Sequence, residues 1–172
     1  MIELQHVNVK LLLRNPEQVP LEALIPVFHS WIEGQIFDEL LLDVADYRHV
    51  HAGPGVVLVG HQANYSVDNA DERLGVRYNR KAAIEGSNQD RLRQALRAAA
   101  TACQRLEAEP RMAGTLQYDG QEMEFFVNDR LLAPNTDETW QALKSELEVY
   151  FPGAKLERVG EPRDLFRVSI SI

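Results

Sequence analysis

Two hydrophobic periods take turns along the chain, and that exchange constrains its fold more than any other feature. Stretches with an apolar residue at every second position are strand-like, and three stretches with apolar residues every third or fourth position are helix-like. Turn-forming residues join them, and no low-complexity or linker-like segment separates them. Strands linked by short turns pair antiparallel. The expectation is an α+β fold: a mostly antiparallel sheet with three helices on one face.

The first strand is expected over residues 2–13, stopped by Arg14-Asn15-Pro16, because proline cannot donate to a ladder. Leu21, Leu24, Phe28, Trp31 and Ile32 recur at helical spacing, with Gly34 as the stop. Pro26 inside that stretch either kinks the helix or moves its start to about Leu24. Strands follow over 39–50, 56–67 and 74–80, broken by Gly53-Pro54-Gly55 and by a polar tip at 68–72. Ser87-Asn88 opens a long helix whose inner stripe is Leu92, Ala95, Leu96, Ala99, Cys103 and Leu106. Asp119-Gly120 predicts a two-residue hairpin pairing Leu116 with Met123. A third helix begins at Asn135-Thr136, where Asn135 and Glu138 have the spacing of a capping box. Two strands end the chain, the last with Phe166, Val168, Ile170 and Ile172 facing inward.

One segment reads as if written twice. Both helix starts read N-x-D-x-x-x-Q-A-L, from Asn88 and from Asn135, and each follows what reads as a strand pair. This predicts a β-β-α duplication with units at 56–108 and 112–150, inside a single domain of 172 residues. Shared capping chemistry is the simpler explanation of the identities alone.

Composition narrows the function classes. The chain carries 18 Lys+Arg against 26 Asp+Glu, a formal net charge of -8. That field repels phosphate and argues against a nucleic-acid partner. No apolar run approaches the ~18 residues of a membrane span. Met1 to His6 has no basic start or apolar core, so no signal peptide is expected. The lone Cys103 fits a reducing compartment, most simply the cytoplasm.

The residues that could carry chemistry gather between 43 and 80. His49, His51 and His61 suggest a metal site, but a hairpin with 52–55 as its loop puts His61 on the opposite face from the other two. No metal and no cofactor are therefore expected. The same register makes Asp46 and His61 cross-strand neighbours, with Arg48 one pair along. Aligning Leu74, Val76 and Tyr78 with Val67, Tyr65 and Ala63 then places Arg80 opposite His61. The expected outcome is a cluster of Asp46, Arg48, His61 and Arg80 at one end of an apolar surface.

Such charges must be paired, or reached by water or a ligand. The cluster reads either as an ion network closing the sheet or as a pocket where guanidinium forks meet a carboxylate or phosphate. Three functions compete: non-catalytic binding of a small anion or a partner; a cofactor-free isomerase or hydrolase with His61 as general base; and self-association through the final strand, if that strand is an edge. The first is favoured, since no nucleophile or phosphate-loop pattern is present.

Overall fold

A computed structural model describes residues 2–172 and contains one eight-stranded antiparallel sheet and three α-helices. The strands are β1 (Val7–Leu13), β2 (Leu41–Tyr47), β3 (Gly55–Gly60), β4 (Ala63–Asp68), β5 (Gly75–Arg80), β6 (Tyr118–Val127), β7 (Lys155–Val159) and β8 (Phe166–Ser171). The helices are α1 (Leu24–Gly34), α2 (Asn88–Ala108) and α3 (Asp137–Tyr150). In space the strands run β2-β3-β4-β5-β1-β6-β8-β7. No described helix is long and apolar enough to cross a membrane.

Side-chain alternation decides which face the helices cover. Val7, Val9, Leu11 and Leu13 of β1 join one hydrophobic cluster with Val56 and Leu58 of β3, Tyr65 and Val67 of β4, Val76 and Tyr78 of β5, and Phe125 of β6. Residues of all three helices complete that cluster, including Phe28, Leu92, Cys103, Leu143 and Leu147. A strand can present such a stripe to a layer of helices while its other side chains point away.

Helix boundaries follow local chemistry. Pro26 lies in the first turn of α1, where its missing N–H would have no partner in any case. Ser87 caps α2 in a full capping box with Asp90. Thr136, not Asn135, caps α3, accepting from the Thr139 N–H. Asn135 is buried instead, and its amide donates to the Val159 and Glu161 carbonyls.

Further sequence-based expectations change. Residues 56–67 form two strands, because Gly60 closes a tight turn through His61 and Gln62; a Cβ at Gly60 would lie 2.3 Å from Glu39 Oε1 and 2.5 Å from the Ala63 carbonyl. Asp119-Gly120 is not a hairpin turn. Gly120, at φ 77°, and the Asp119 carboxylate, which accepts from the Gln121 and Glu122 N–H groups, shape an irregularity within the single strand β6, where its register against β1 shifts. The predicted second β-β-α unit therefore contains one strand, and the duplication at 56–108 and 112–150 is not confirmed. What the chain has is a looser echo: β1 and β6 lie side by side at the centre, and each is flanked on its other side by the strand that closes its own half, β5 or β8.

The last strand is also not an edge. β8 sits between β6 and β7, so its backbone is paired on both sides and the edges are β2 and β7.

Candidate functional site

β2 and β3 pair in a register that takes the expected cluster apart. Asp46 lies opposite Val56 and Tyr47 opposite Gly55, so residues 48–54 form a long loop. His61 belongs to the turn at the far end of the hairpin, where its N–H donates to the Leu40 carbonyl at 2.8 Å. Val56 and His61 are thus five residues apart along β3 and its turn, about 17 Å at strand rise. Asp46 neither touches nor orients His61, which removes the geometry behind a His61 general base.

Arg48 turns back on its own strand and forms a two-pronged pair with Asp46, Nε to Oδ1 and Nη2 to Oδ2, both at 2.9 Å. Those bonds hold the Asp46 carboxyl down at about 2. The pair is solvent-exposed. His49 and His51 lie in the 48–54 loop, away from His61. Among the described residues no group of three His, Cys, Asp or Glu side chains is placed to hold a metal ion.

The β4–β5 alignment has the expected face but is displaced by two residues. Val67 faces Val76, Tyr65 faces Tyr78, and Arg80 faces Ala63 rather than His61. Arg80 is the one member of the expected cluster that lines a substantial cleft. This cleft, of about 490 Å³, opens on the helix side of the sheet, between the segment after α1 and the first turns of α2.

Its floor is aromatic. The Phe37 and Tyr65 rings stack at 4.8 Å between centroids, and Tyr65 meets Tyr78 edge-on at 5.3 Å. The Tyr78 hydroxyl accepts from the Gln94 amide at 2.8 Å. Glu39 is the nearest carboxylate to the floor, and the fold uses it fully. One oxygen accepts from the Gln62 and Ala63 N–H groups at 3.1 and 3.0 Å, and the other accepts from the Tyr65 hydroxyl at 2.8 Å. Burial and that carboxylate push the Tyr65 phenol well above its ordinary value, so it stays protonated.

Three guanidiniums surround this floor. Arg80 donates through Nε to the Ala82 carbonyl at 2.8 Å and through Nη1 to Gln62 at 3.4 Å. Arg93 pairs with Asp90 at 3.1 Å. Arg97 is exposed and makes no hydrogen bond or ion pair within the described residues. Asp90 is occupied by the α2 capping box as well as by Arg93. The lining also holds three carboxylates, so its formal charges balance. Glu39 and Asp90 are occupied by the fold, and Asp38 lies exposed at the rim with no hydrogen bond or ion pair among the described residues. Of the three guanidiniums, Arg97 is the one left for a ligand's negative charge.

Sequence reasoning missed Arg93 and Arg97 because they sit on the polar side of α2, where charge usually means solvent. Their spacing was informative: Arg93 and Arg97 are i and i+4, with Asp90 and Thr101 continuing the same stripe, so a single helix face carries them to the cleft.

No known family model matches the chain, and a search of curated proteins finds no significant match.

Proposed function

We propose that the cleft between α2 and the segment after α1 binds a small organic anion, a carboxylate or phosphate carrying a flat or apolar group, without chemical conversion. The observation that supports this reading is the convergence of Arg80, Arg93 and Arg97 on a cleft where two of the three carboxylates are already committed. Glu39 is committed to the β3–β4 turn and to Tyr65, and Asp90 to the α2 cap and to Arg93, while Arg97 has no partner among the described residues. Guanidiniums meet such anions through paired N–H donors, and an aromatic floor takes the remaining surface of the ligand.

A thermal-shift screen against anionic metabolites, each beside a neutral analogue, tests it. A ligand at about 100 times its Kd adds about 2.7 kcal/mol, enough to raise the midpoint by several degrees. The expected result is a shift with one class of anion, absent for its neutral analogue and weakened by salt. Arg97→Ala should abolish the shift while leaving the unliganded midpoint unchanged, since Arg97 has no partner among the described residues. Equal shifts with charged and neutral analogues, or a shift that survives both Arg97→Ala and Arg80→Ala, would overturn the reading.

A further inference from the structure

The face of the sheet that the helices leave uncovered holds a second, chemically different depression. Its cross-strand rows follow from the register. Asn64, Asn79, Asn8 and Phe126 stand side by side on β4, β5, β1 and β6. In the next row stand Ala45, Val57, Ser66, Arg77, Lys10 and Glu124. A groove of about 380 Å³ crosses β2 to β5 on this side.

The groove is divided lengthwise. Tyr47, Pro54, Val57 and Val59 make one half apolar; Asn64, Ser66, Asp68, Arg77 and Asn79 make the other polar. Its formal charges, Asp68 and Arg77, cancel. The polar half has bonding capacity that the protein does not use. Asn64 Oδ1 is buried and accepts no hydrogen bond. Arg77 spends Nε on Asn8 at 3.0 Å and stacks over Phe126 at 4.3 Å. Its Nη1 lies 3.9 Å from Asp68 Oδ2, an ion pair too long for a hydrogen bond, and within the described residues its Nη groups donate none. Ser66 is buried, and its hydroxyl bonds to no described residue. Buried polar atoms are paired in nearly all folded proteins, so the unpaired Asn64 Oδ1 at the groove's wall needs a reason, and the Ser66 hydroxyl and Arg77 Nη groups beside it have room for further bonds.

We infer that this groove binds a neutral sugar. A pyranose ring has a C–H face that packs on apolar and aromatic surface, and an edge of hydroxyls that each donate and accept. Those hydroxyls match an acceptor (Asn64), a donor fork (Arg77) and a hydroxyl (Ser66) placed side by side. The cancelled charges disfavour a ligand with net charge, and the single ring, Tyr47, gives a planar base no second surface to stack between. The groove and the arginine cleft lie on opposite faces of the sheet, so this inference is independent of the anion reading.

Titration calorimetry and Tyr fluorescence with neutral sugars (glucose, galactose, mannose, N-acetylglucosamine, maltose and cellobiose) test it on the full chain. At least one should bind saturably. Asn64→Leu, which removes about one hydrogen bond, and Tyr47→Ala, which removes the packing ring, should each weaken that binding about tenfold. Arg97→Ala should leave it unchanged. Asn64→Leu should also raise the thermal midpoint, because it removes an unpaired buried acceptor, and Tyr47 is too exposed for its loss to unfold the chain. Failure of every sugar to bind, binding indifferent to both substitutions, or a response confined to nucleosides or amino acids would overturn the proposal.

Discussion

The two faces of this sheet bury side chains by opposite means. The covered face is closed by helices, and its strands contribute aliphatic and aromatic groups whose transfer from water drives folding. The uncovered face has no helix, yet Asn8 and Lys10 are as buried as the core, at 0% and 1% exposed. There the long side chains roof one another: Lys10 pairs with Asp68 at 2.8 Å, Arg77 lies over Phe126, and Arg167 reaches both Asp71 and Glu124. Gly75 makes room for this layer, since a Cβ there would sit 2.8 Å from Lys10 Cγ. Burial on the covered face tolerates imprecision, because dispersion and hydrophobic transfer are non-directional. Burial on the uncovered face depends on specific partners.

Deleting neighbours that point to opposite faces breaks the comparison most sharply. Lys10→Ala should cost about 3 kcal/mol, because it removes the 2.8 Å partner of the buried Asp68 carboxylate and leaves it only the longer contacts to Arg77 Nη1 and the Ala70 N–H. Leu11→Ala should cost a similar amount, about 2–5 kcal/mol, through lost transfer and a cavity. The two differ in rescue. Lys10→Met combined with Asp68→Leu should recover most of the loss, since the pair is removed together, whereas no second polar change should restore Leu11→Ala. Urea unfolding of the four variants decides it, and a double variant no better than Lys10→Ala would show that the ion pair is not the source of the loss.

Alkaline pH should act mainly through the covered side. Burial pushes the Cys103 thiol from 9.0 up to about 12, and Tyr65 is raised as well. Above pH 9 the unfolded chain releases protons that the native chain keeps. The unfolded state then binds fewer protons, so stability falls as pH rises. The Cys103 contribution is at most about 1.4 kcal/mol for each pH unit above 9. Urea midpoints from pH 8 to 10.5 should decline in the wild type and begin to decline later in Cys103→Ala. Identical pH slopes for the two proteins would remove the thiol from this account.

The smallest effect belongs to Arg48→Ala. Its pair with Asp46 is well formed but solvated, and exposed pairs contribute little. The expected result is no resolvable change in the urea midpoint and no change in anion binding, since neither residue lines the cleft. A loss of anion affinity would return Asp46 and Arg48 to the site.

The fold class was legible because alternation reports which face is apolar, and a two-residue slip leaves that report intact. Val67, Tyr65, Val76 and Tyr78 were assigned to the correct face although the expected pairing was displaced by two. Turns were less legible. Gly60-His61-Gln62 lacks the Asn-Gly or Asp-Gly signature, and what fixes it is Glu39, more than twenty residues earlier in the chain. Asp119-Gly120 has that signature but serves an irregular strand, where glycine's left-handed conformation is equally useful. One strand was missed and one invented, so the expected count of eight agreed with the structure for the wrong reason. The candidate site suffered more, because bringing side chains together requires the exact register and not merely the face. Arg80 reached a cleft; Asp46, Arg48 and His61 did not.

β1 comes before every other element in chain order, yet it lies at the centre of the sheet, between β5 and β6. Its partners span Gly75–Asn79 on one side and Tyr118–Val127 on the other. A segment of seven buried residues must therefore wait for its first partner until Asn79 has been made and for its second until Val127. Contacts so distant in sequence slow folding, because loop closure is costly before the pairing rewards it. Its docking between β5 and β6 commits the two halves of the sheet to one another.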